Sequence, residues 1–194
     1  MPDLVDNSTT GPVIRDYLRT LVNNWRNANA HMAADSYGEE NYEIFRHDNL
    51  LSAVFHEDYH ADGPQANHAY RTFTFDVTSG RRLQLSDVTT SNPLTAIPPL
   101  TQPFIETALN QAAPPHDPGT YPFVIDRWTP DKVYSGAYKA WALTPDELIL
   151  YMPDYPVGHD EPLDFSPGLP QWYMDGGTVQ VHIPLSALAP VLRI

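Results

Sequence analysis

The segment from Tyr70 to Leu85 carries the clearest strand pattern in the sequence. Two sets of residues alternate through its first half: Tyr70, Thr72, Thr74 and Asp76 against Arg71, Phe73, Phe75 and Val77. Asp76 to Gly80 supplies turn residues, and Arg81 to Leu85 returns with two leucines facing one way. A period of two in β-branched and aromatic residues, followed by such a turn, predicts an antiparallel hairpin with a buried face. The fold must therefore include antiparallel sheet.

Two other segments have room for helices. From Pro12 to Asn29, apolar residues recur at three- and four-residue spacing, which predicts an amphipathic helix packed on a sheet. A helix that offers this stripe to a partner is the alternative. Prolines punctuate residues 89–120, and only Gln102 to Ala113 has room for a second helix there. Pro103 would stand in its first turn, where a missing N–H is tolerated.

The remaining pattern predicts further strands at Tyr42–Arg46, Leu50–Tyr59, Tyr138–Leu143, Leu148–Met152 and Thr178–Ile183. Asn49 could instead cap a helix that begins at Leu50, and Ser186 is a candidate cap for a short last helix. We therefore predict an α+β fold: a single domain with a mostly antiparallel twisted sheet, one long N-terminal helix and a second helix packed on it. The domain covers residues 12–194, after a flexible leader over residues 1–11, and contains a long loop over residues 153–177.

Composition excludes several classes of protein. The net charge of −13 disfavours nucleic acid, because binding to phosphates would begin with long-range repulsion. The chain has no cysteine, which excludes thiolate metal sites and cysteine nucleophiles. No window approaches the run of about 18 apolar residues that a membrane span requires. Residues 1–10 lack the pattern of a signal peptide, so the protein is either cytoplasmic or was separated from an export signal.

A possible metal site lies at His56-Glu57-Asp58-Tyr59-His60, which spells the HExxH motif of zinc peptidases. The motif chelates zinc because a helix places its two histidines on one face. In the predicted strand, His56 and His60 would lie about 13 Å apart, too far to bind one ion. We therefore predict polar residues at a strand end, with no metal and no cofactor, and keep a zinc peptidase as an alternative.

Hydrolytic chemistry has only scattered candidates. No G-x-S-x-G elbow is present, so an esterase would use a loop serine with a distant histidine. The candidate serines are Ser86, Ser135 and Ser166, and the candidate bases are His68, His116 and His159. Ser86 and Asp87 are better interpreted as a cap for the turn after a strand. The carboxylates of Asp160, Glu161 and Asp164 fit a solvated acidic loop as well as a glycosidase.

Recognition is the more ordinary function for the long loop. It combines acidic residues, prolines that restrict the backbone, and aromatic side chains suited to stacking. The predicted binding residues are Tyr155, His159, Asp160, Trp172 and Tyr173, with Phe165 as a further aromatic. An equally good interpretation is that two or three of these aromatics cover the sheet edge. His182, between two apolar residues, is predicted to be an outward or hydrogen-bonded strand histidine.

The order of elements and two sequence motifs resemble those of a known family. The first motif is carried by His68, Asp76, Gly80, Leu85 and Asp87; the second by Trp141, Leu143, Thr144, Asp146, Leu148, Tyr155 and Ile183–Leu188. The chain resembles the uncharacterised domain at the C-terminus of RsiV-type anti-sigma factors, which also occurs beside polysaccharide deacetylases and in secreted mycobacterial immunogenic proteins. The resemblance covers roughly residues 12–192. The loop over residues 153–177 is longer than the usual passage in that family, so a relative's binding mode does not transfer there.

The resemblance implies work outside the cytoplasm. Members of that family act as lysozyme-sensing receptor domains, accessory modules of cell-wall enzymes or secreted antigens, and esterase activity has been ascribed to some mycobacterial relatives. We therefore predict an extracytoplasmic, secreted or envelope-anchored, non-catalytic binding domain. Its expected partner is a cell-wall glycan or a cationic protein such as a lysozyme-like enzyme. The alternative is a secreted hydrolase, first an esterase and second a zinc peptidase.

Overall fold

The computed structural model describes residues 11–30, 37–60, 67–90, 92–112, 140–152 and 179–194. The helices are α1 (Gly11–Asn29), α2 (Pro93–Ala96), α3 (Pro98–Ala112) and α4 (Leu185–Leu188). The strands are β1 (Tyr37–His47), β2 (Leu50–His60), β3 (Asn67–Asp76), β4 (Arg81–Leu83), β5 (Trp141–Leu143), β6 (Glu147–Met152) and β7 (Val179–Pro184). A 3₁₀ turn covers Leu85–Asp87.

The strands form two antiparallel sheets. The first sheet has the order β1-β2-β3-β4, and the second has the order β5-β6-β7. The predicted α+β class is confirmed. The sequence pattern predicted one sheet, whereas the strands divide between two, because alternation shows which residues share a face but not which strands pair.

Helix α1 packs on one face of the first sheet. Ile14 and Leu18 are completely buried against a cluster from β2 and β3: Leu51, Ala53, Phe55, Phe73 and Phe75. Tyr17 packs edge-on to two of these phenylalanines, and its hydroxyl accepts a hydrogen bond from Arg82 at 3.0 Å. The described part of the helical stripe therefore packs on the sheet, as predicted, although Val13 at its start is 59% exposed.

The second sheet packs on the other face of the first sheet through hydroxyl groups. Leu143 donates its backbone N–H to the Ser52 hydroxyl at 3.0 Å, and Trp141 donates to the Thr72 hydroxyl at 2.9 Å. The Ser52 hydroxyl is also 2.8 Å from that of Thr74. These bonds satisfy backbone donors of β5, which is an edge strand of its own sheet.

A second apolar core lies between the second sheet and α3. Its completely buried members include Leu143, Leu148, Leu150, Ile183 and Leu188. Ile105 and Ile97 close it from the helical side, and Leu50 and Leu83 join it to the first sheet. The two sheets and two long helices thus share contiguous packing.

Several predicted boundaries shift. β1 begins at Tyr37, ahead of the predicted start at Tyr42, because pairing with β2 stabilises residues of weak strand propensity. α3 begins at Pro98, so Pro103 lies inside the helix instead of in its first turn. Pro184, not Ser186, stands at the N-cap of α4. The possible helix after Asn49 is wrong, because Leu50 begins β2.

No described helix is long and apolar enough to cross a membrane.

Candidate functional site

Residues of the first family-like motif form a turn. Asp76 accepts hydrogen bonds from the backbone N–H of Thr78 at 2.8 Å and from the hydroxyl of Ser79 at 2.8 Å. The amide of Asn49 donates to the same carboxylate at 3.1 Å. The Ser79 bond is the largest cause that lowers the pKa of Asp76. Gly80 has φ of 69°, a conformation that glycine adopts at least cost, so these residues shape the hairpin.

Asp87 shapes the next turn. Its carboxylate accepts the backbone N–H of Gln84 at 2.7 Å and the Arg81 guanidinium at 2.9 Å, and these two contacts lower its pKa. The predicted capping role of Asp87 is confirmed. Ser86 is exposed, and its backbone carbonyl accepts a bond from Arg193 at 3.1 Å. The acid beside this serine is therefore already engaged in the turn.

Thr144 closes the turn between β5 and β6. Its hydroxyl accepts the backbone N–H of Glu147 at 3.0 Å and that of Asp146 at 3.3 Å. The second family-like motif therefore also contains turn-forming residues. Local hydrogen bonding explains these positions without a ligand.

The HExxH motif lies in the second half of β2. The backbone of residues 56–60 pairs with β1 on one side, and residues 56–59 pair with β3 on the other. The predicted strand is confirmed, and a strand does not give the helical spacing on which the motif depends. Among the described residues, no group of three or more His, Cys, Asp or Glu side chains is arranged to hold a metal ion.

Three aromatic rings stack between the two sheets, and we call them the aromatic stack: His56 on β2, Tyr70 on β3 and Tyr151 on β6. The centroids of His56 and Tyr70 are 4.7 Å apart with an angle of 13° between the planes. Tyr70 and Tyr151 are also 4.7 Å apart, at 30°. His56 and Tyr70 are half-buried and Tyr151 is 1% exposed, so the stack runs from the interior towards the surface.

Polar groups surround the stack. The side-chain amide of Gln180 donates to the Tyr70 hydroxyl at 3.1 Å, which leaves the hydrogen of that hydroxyl available as a donor. Burial raises the pKa of Tyr151 above its ordinary value, and the charges of Glu43 and Tyr70 add to the effect. Glu43 is exposed on β1. The site thus combines ring faces, an amide, a hydroxyl donor and a carboxylate.

The segment over residues 153–178, which the structure does not describe, is attached beside this stack. β6 ends at Met152 and β7 begins at Val179, and these two residues pair in the second sheet. One residue earlier and one later, Tyr151 and Gln180 also pair. The connection over residues 113–139 ends near the same place, where Ala140 accepts a bond from the Tyr151 N–H at 3.0 Å. The predicted binding residues Tyr155, His159, Asp160, Trp172 and Tyr173 lie outside the described residues, in the segment that starts and ends here.

His182 has an ordinary structural partner. It is exposed on β7, and its Nδ1 lies 2.9 Å from the Glu147 carboxylate. The predicted outward, hydrogen-bonded histidine is confirmed.

Residues 86–186 match a protein family described as "Protein of unknown function (DUF3298)". The matched region is just over half of the chain. The chain belongs to the DUF3298 family. The predicted membership of a family of unknown function is therefore confirmed, whereas the relation to RsiV-type and mycobacterial proteins stays a prediction. No curated protein sequence matches the chain.

Two solved structures of DUF3298 family proteins are similar to this one. The protein from Pseudomonas aeruginosa PAO1 is 14% identical with a TM-score of 0.58, over 89% of this chain and 69% of that one. The protein from Bacteroides fragilis NCTC 9343 is 15% identical with a TM-score of 0.53, over 93% of this chain and 64% of that one. At these identities the likeness shows the fold alone. The chain spans about two thirds of the length of these proteins.

The DUF3298 match divides the aromatic stack. Tyr151 and Gln180 lie inside the matched region, whereas His56 and Tyr70 precede it. Neither the stack nor Gln180 was predicted from the sequence. A signal for the stack was available in the alternation of side chains along β3. Tyr70 shares a face with Thr72 and Thr74, opposite to the face of the phenylalanines that pack under α1.

Proposed function

We propose that this DUF3298 domain is a non-catalytic recognition domain of the cell envelope, exported from the cytoplasm, that binds its ligand at the end occupied by the aromatic stack. The observation that supports the proposal is that the segment over residues 153–178 is attached at Met152 and Val179, beside Tyr151 and Gln180. In this proposal, aromatic side chains of that segment add to a set of rings and hydrogen-bonding groups already present in the sheets. Such a mixture is typical of recognition surfaces.

The charge of the chain favours a cationic protein as the ligand. A net charge of −13 attracts a basic partner over a long range and accelerates its association. The exposed Glu43 carboxylate lies close enough to the stack to influence Tyr151. A neutral cell-wall glycan would gain nothing from this charge and would depend on the rings and amide alone.

The experiment is a calorimetric titration of the protein with lysozyme and, separately, with soluble peptidoglycan fragments. We expect lysozyme to bind, more weakly as salt rises, because screening weakens attraction between exposed charges. Trp172→Ala should weaken binding by about 30-fold, as the loss of a central aromatic contact does. Val13→Ala, at an exposed position on α1, is the control and should leave the affinity unchanged.

Each outcome is decisive. Binding of the fragments without lysozyme would replace the cationic protein by a glycan. Binding of neither probe, or lysozyme binding that Trp172→Ala and Tyr155→Ala leave intact, would contradict recognition by this end of the domain. The location is tested by fractionating cells that produce the full natural protein, and recovery in the cytoplasm alone would refute export.

A further inference from the structure

β1 is a long edge strand. It pairs with β2 over all eleven of its residues, from Tyr37↔His60 to His47↔Leu50. Within the described part of the chain, no strand pairs with its other side. Exposed edges are usually short, because unpaired backbone groups invite another strand. β1 is instead as long as β2, the strand beside it in the sheet.

The part of β1 from Glu39 to Glu43 is acidic. Glu39, Asn41 and Glu43 occupy alternate positions, which share one face of a strand, and all three are exposed. Neither glutamate forms an ion pair with any residue that the structure describes. The same row of the sheet continues from Asn41 to His56 and Tyr70, so this face of the edge leads to the aromatic stack.

The acidic positions argue against a second copy of the chain as the occupant. In the antiparallel register centred on Asn41, Glu39 of one copy would lie opposite Glu43 of the other. Like charges directly opposite each other destabilise a strand pair. Two chains that each carry a net charge of −13 also repel at longer range. Both effects would instead favour a basic segment, because opposite charges would face each other across the strands and the acidic chain would attract the segment at longer range.

We propose that an extended basic segment of a partner protein pairs with β1 and adds a strand to the first sheet. Main-chain hydrogen bonds would supply affinity, and alternate side chains would supply specificity, as in other cases of strand addition. The register defines the pattern: lysine or arginine at two positions four residues apart, opposite Glu39 and Glu43, with a residue between them opposite Asn41. The inference rests on the proposed function, since it specifies how a cationic partner would bind to the domain.

The experiment uses three short peptides rich in β-forming residues. The first carries lysines four residues apart, the second carries glutamates at the same positions, and the third is the lysine peptide with alternate backbone nitrogens methylated. Hydrogen exchange of the wild-type protein is followed by NMR with each peptide. We expect only the first peptide to slow exchange of β1 amides, because the second is repelled and the third cannot donate.

The matched variants test the charges. Glu39→Gln with Glu43→Gln should weaken binding of the lysine peptide by about tenfold at low salt, since exposed pairs contribute modestly. Asp16→Asn removes a carboxylate from the exposed side of α1 and should have no effect. If the two glutamates only prevent edge association, the double variant will keep the affinity and form dimers in sedimentation, which overturns the proposal.

Two further results separate this inference from the proposed function. Lysozyme binding that depends on Trp172, without any effect of the lysine peptide on β1, overturns the strand addition alone. Peptide binding at β1 without lysozyme binding supports the strand addition and counts against recognition at the stack. Protection of the outward β1 amides in the protein alone would show that the edge is already covered, and would also overturn the inference.

Discussion

The backbone N–H of Leu143 donates to the hydroxyl of Ser52, 3.0 Å away, and thereby joins the second sheet to the first. Both residues are completely buried. A β5 edge donor that would otherwise be unsatisfied is paired by a side chain of the opposing sheet. The contact is therefore a hydrogen bond that helps to specify how the two sheets dock.

Ser52→Ala should destabilise the fold by about 1–3 kcal/mol, because it leaves the Leu143 N–H buried without an acceptor. The free energy of unfolding is measured by urea titration. Ser86→Ala is the control, since this serine is exposed, and its cost should stay within about 0.5 kcal/mol. Equal stability of the two variants would show that water or another group satisfies Leu143.

Asp76 should make stability depend on acid pH. Its pKa is lowered in the folded state, chiefly by the Ser79 hydroxyl, so the ionised carboxylate stabilises the fold above the unfolded pKa of 3.8. This stability is lost as pH falls through the folded pKa. The difference in unfolding free energy between wild type and Asp76→Asn should therefore be largest near neutral pH and shrink below about pH 4. Ser79→Ala should reduce that pH dependence, and an unchanged profile would contradict the assignment.

Tyr151 should act at the alkaline end. Burial raises its pKa above the ordinary 10.0, so the folded protein keeps a proton that the unfolded chain loses first. Stability present below about pH 10 should then decline as pH rises further. Absorbance titration should show a tyrosine that ionises only on unfolding, and Tyr151→Phe should lower the number of such tyrosines by one. Ionisation of all tyrosines in the folded protein would refute this prediction.

Gly80 should resist substitution. With φ of 69°, an alanine there would meet the left-handed conformation that side chains disfavour, at a cost of about 1 kcal/mol. Asp48, with φ of 50°, provides the reverse comparison. Asp48→Gly relieves the same strain, so its loss of stability in thermal unfolding should be smaller than that of Gly80→Ala. The opposite order would show that other contacts dominate these turns.

The sequence predicted the elements whose determinants are local. The hairpin from Tyr70 onward follows from a period of two and a turn, and the capping role of Asp87 follows from contacts within six residues. The assignment of HExxH to a strand is confirmed for the same reason: the residues around it form a continuous strand pattern. The start of α3 was missed because propensity does not reveal how many prolines a helix accepts at its beginning.

The candidate site is the opposite case. Tyr70 and Gln180 are 110 residues apart in the chain, and Ser52 and Leu143 are 91 apart, yet each pair is in direct contact. No periodicity encodes such distances, because the pattern of a strand specifies which face is buried and not what covers it. The order of residues thus established the strands and turns of this DUF3298 domain, and the composition established its net charge. The division into two sheets, the stacking of His56, Tyr70 and Tyr151, and the position of β1 at a sheet edge within the described part of the chain depend on packing between distant segments, which exists only once the sheets have met.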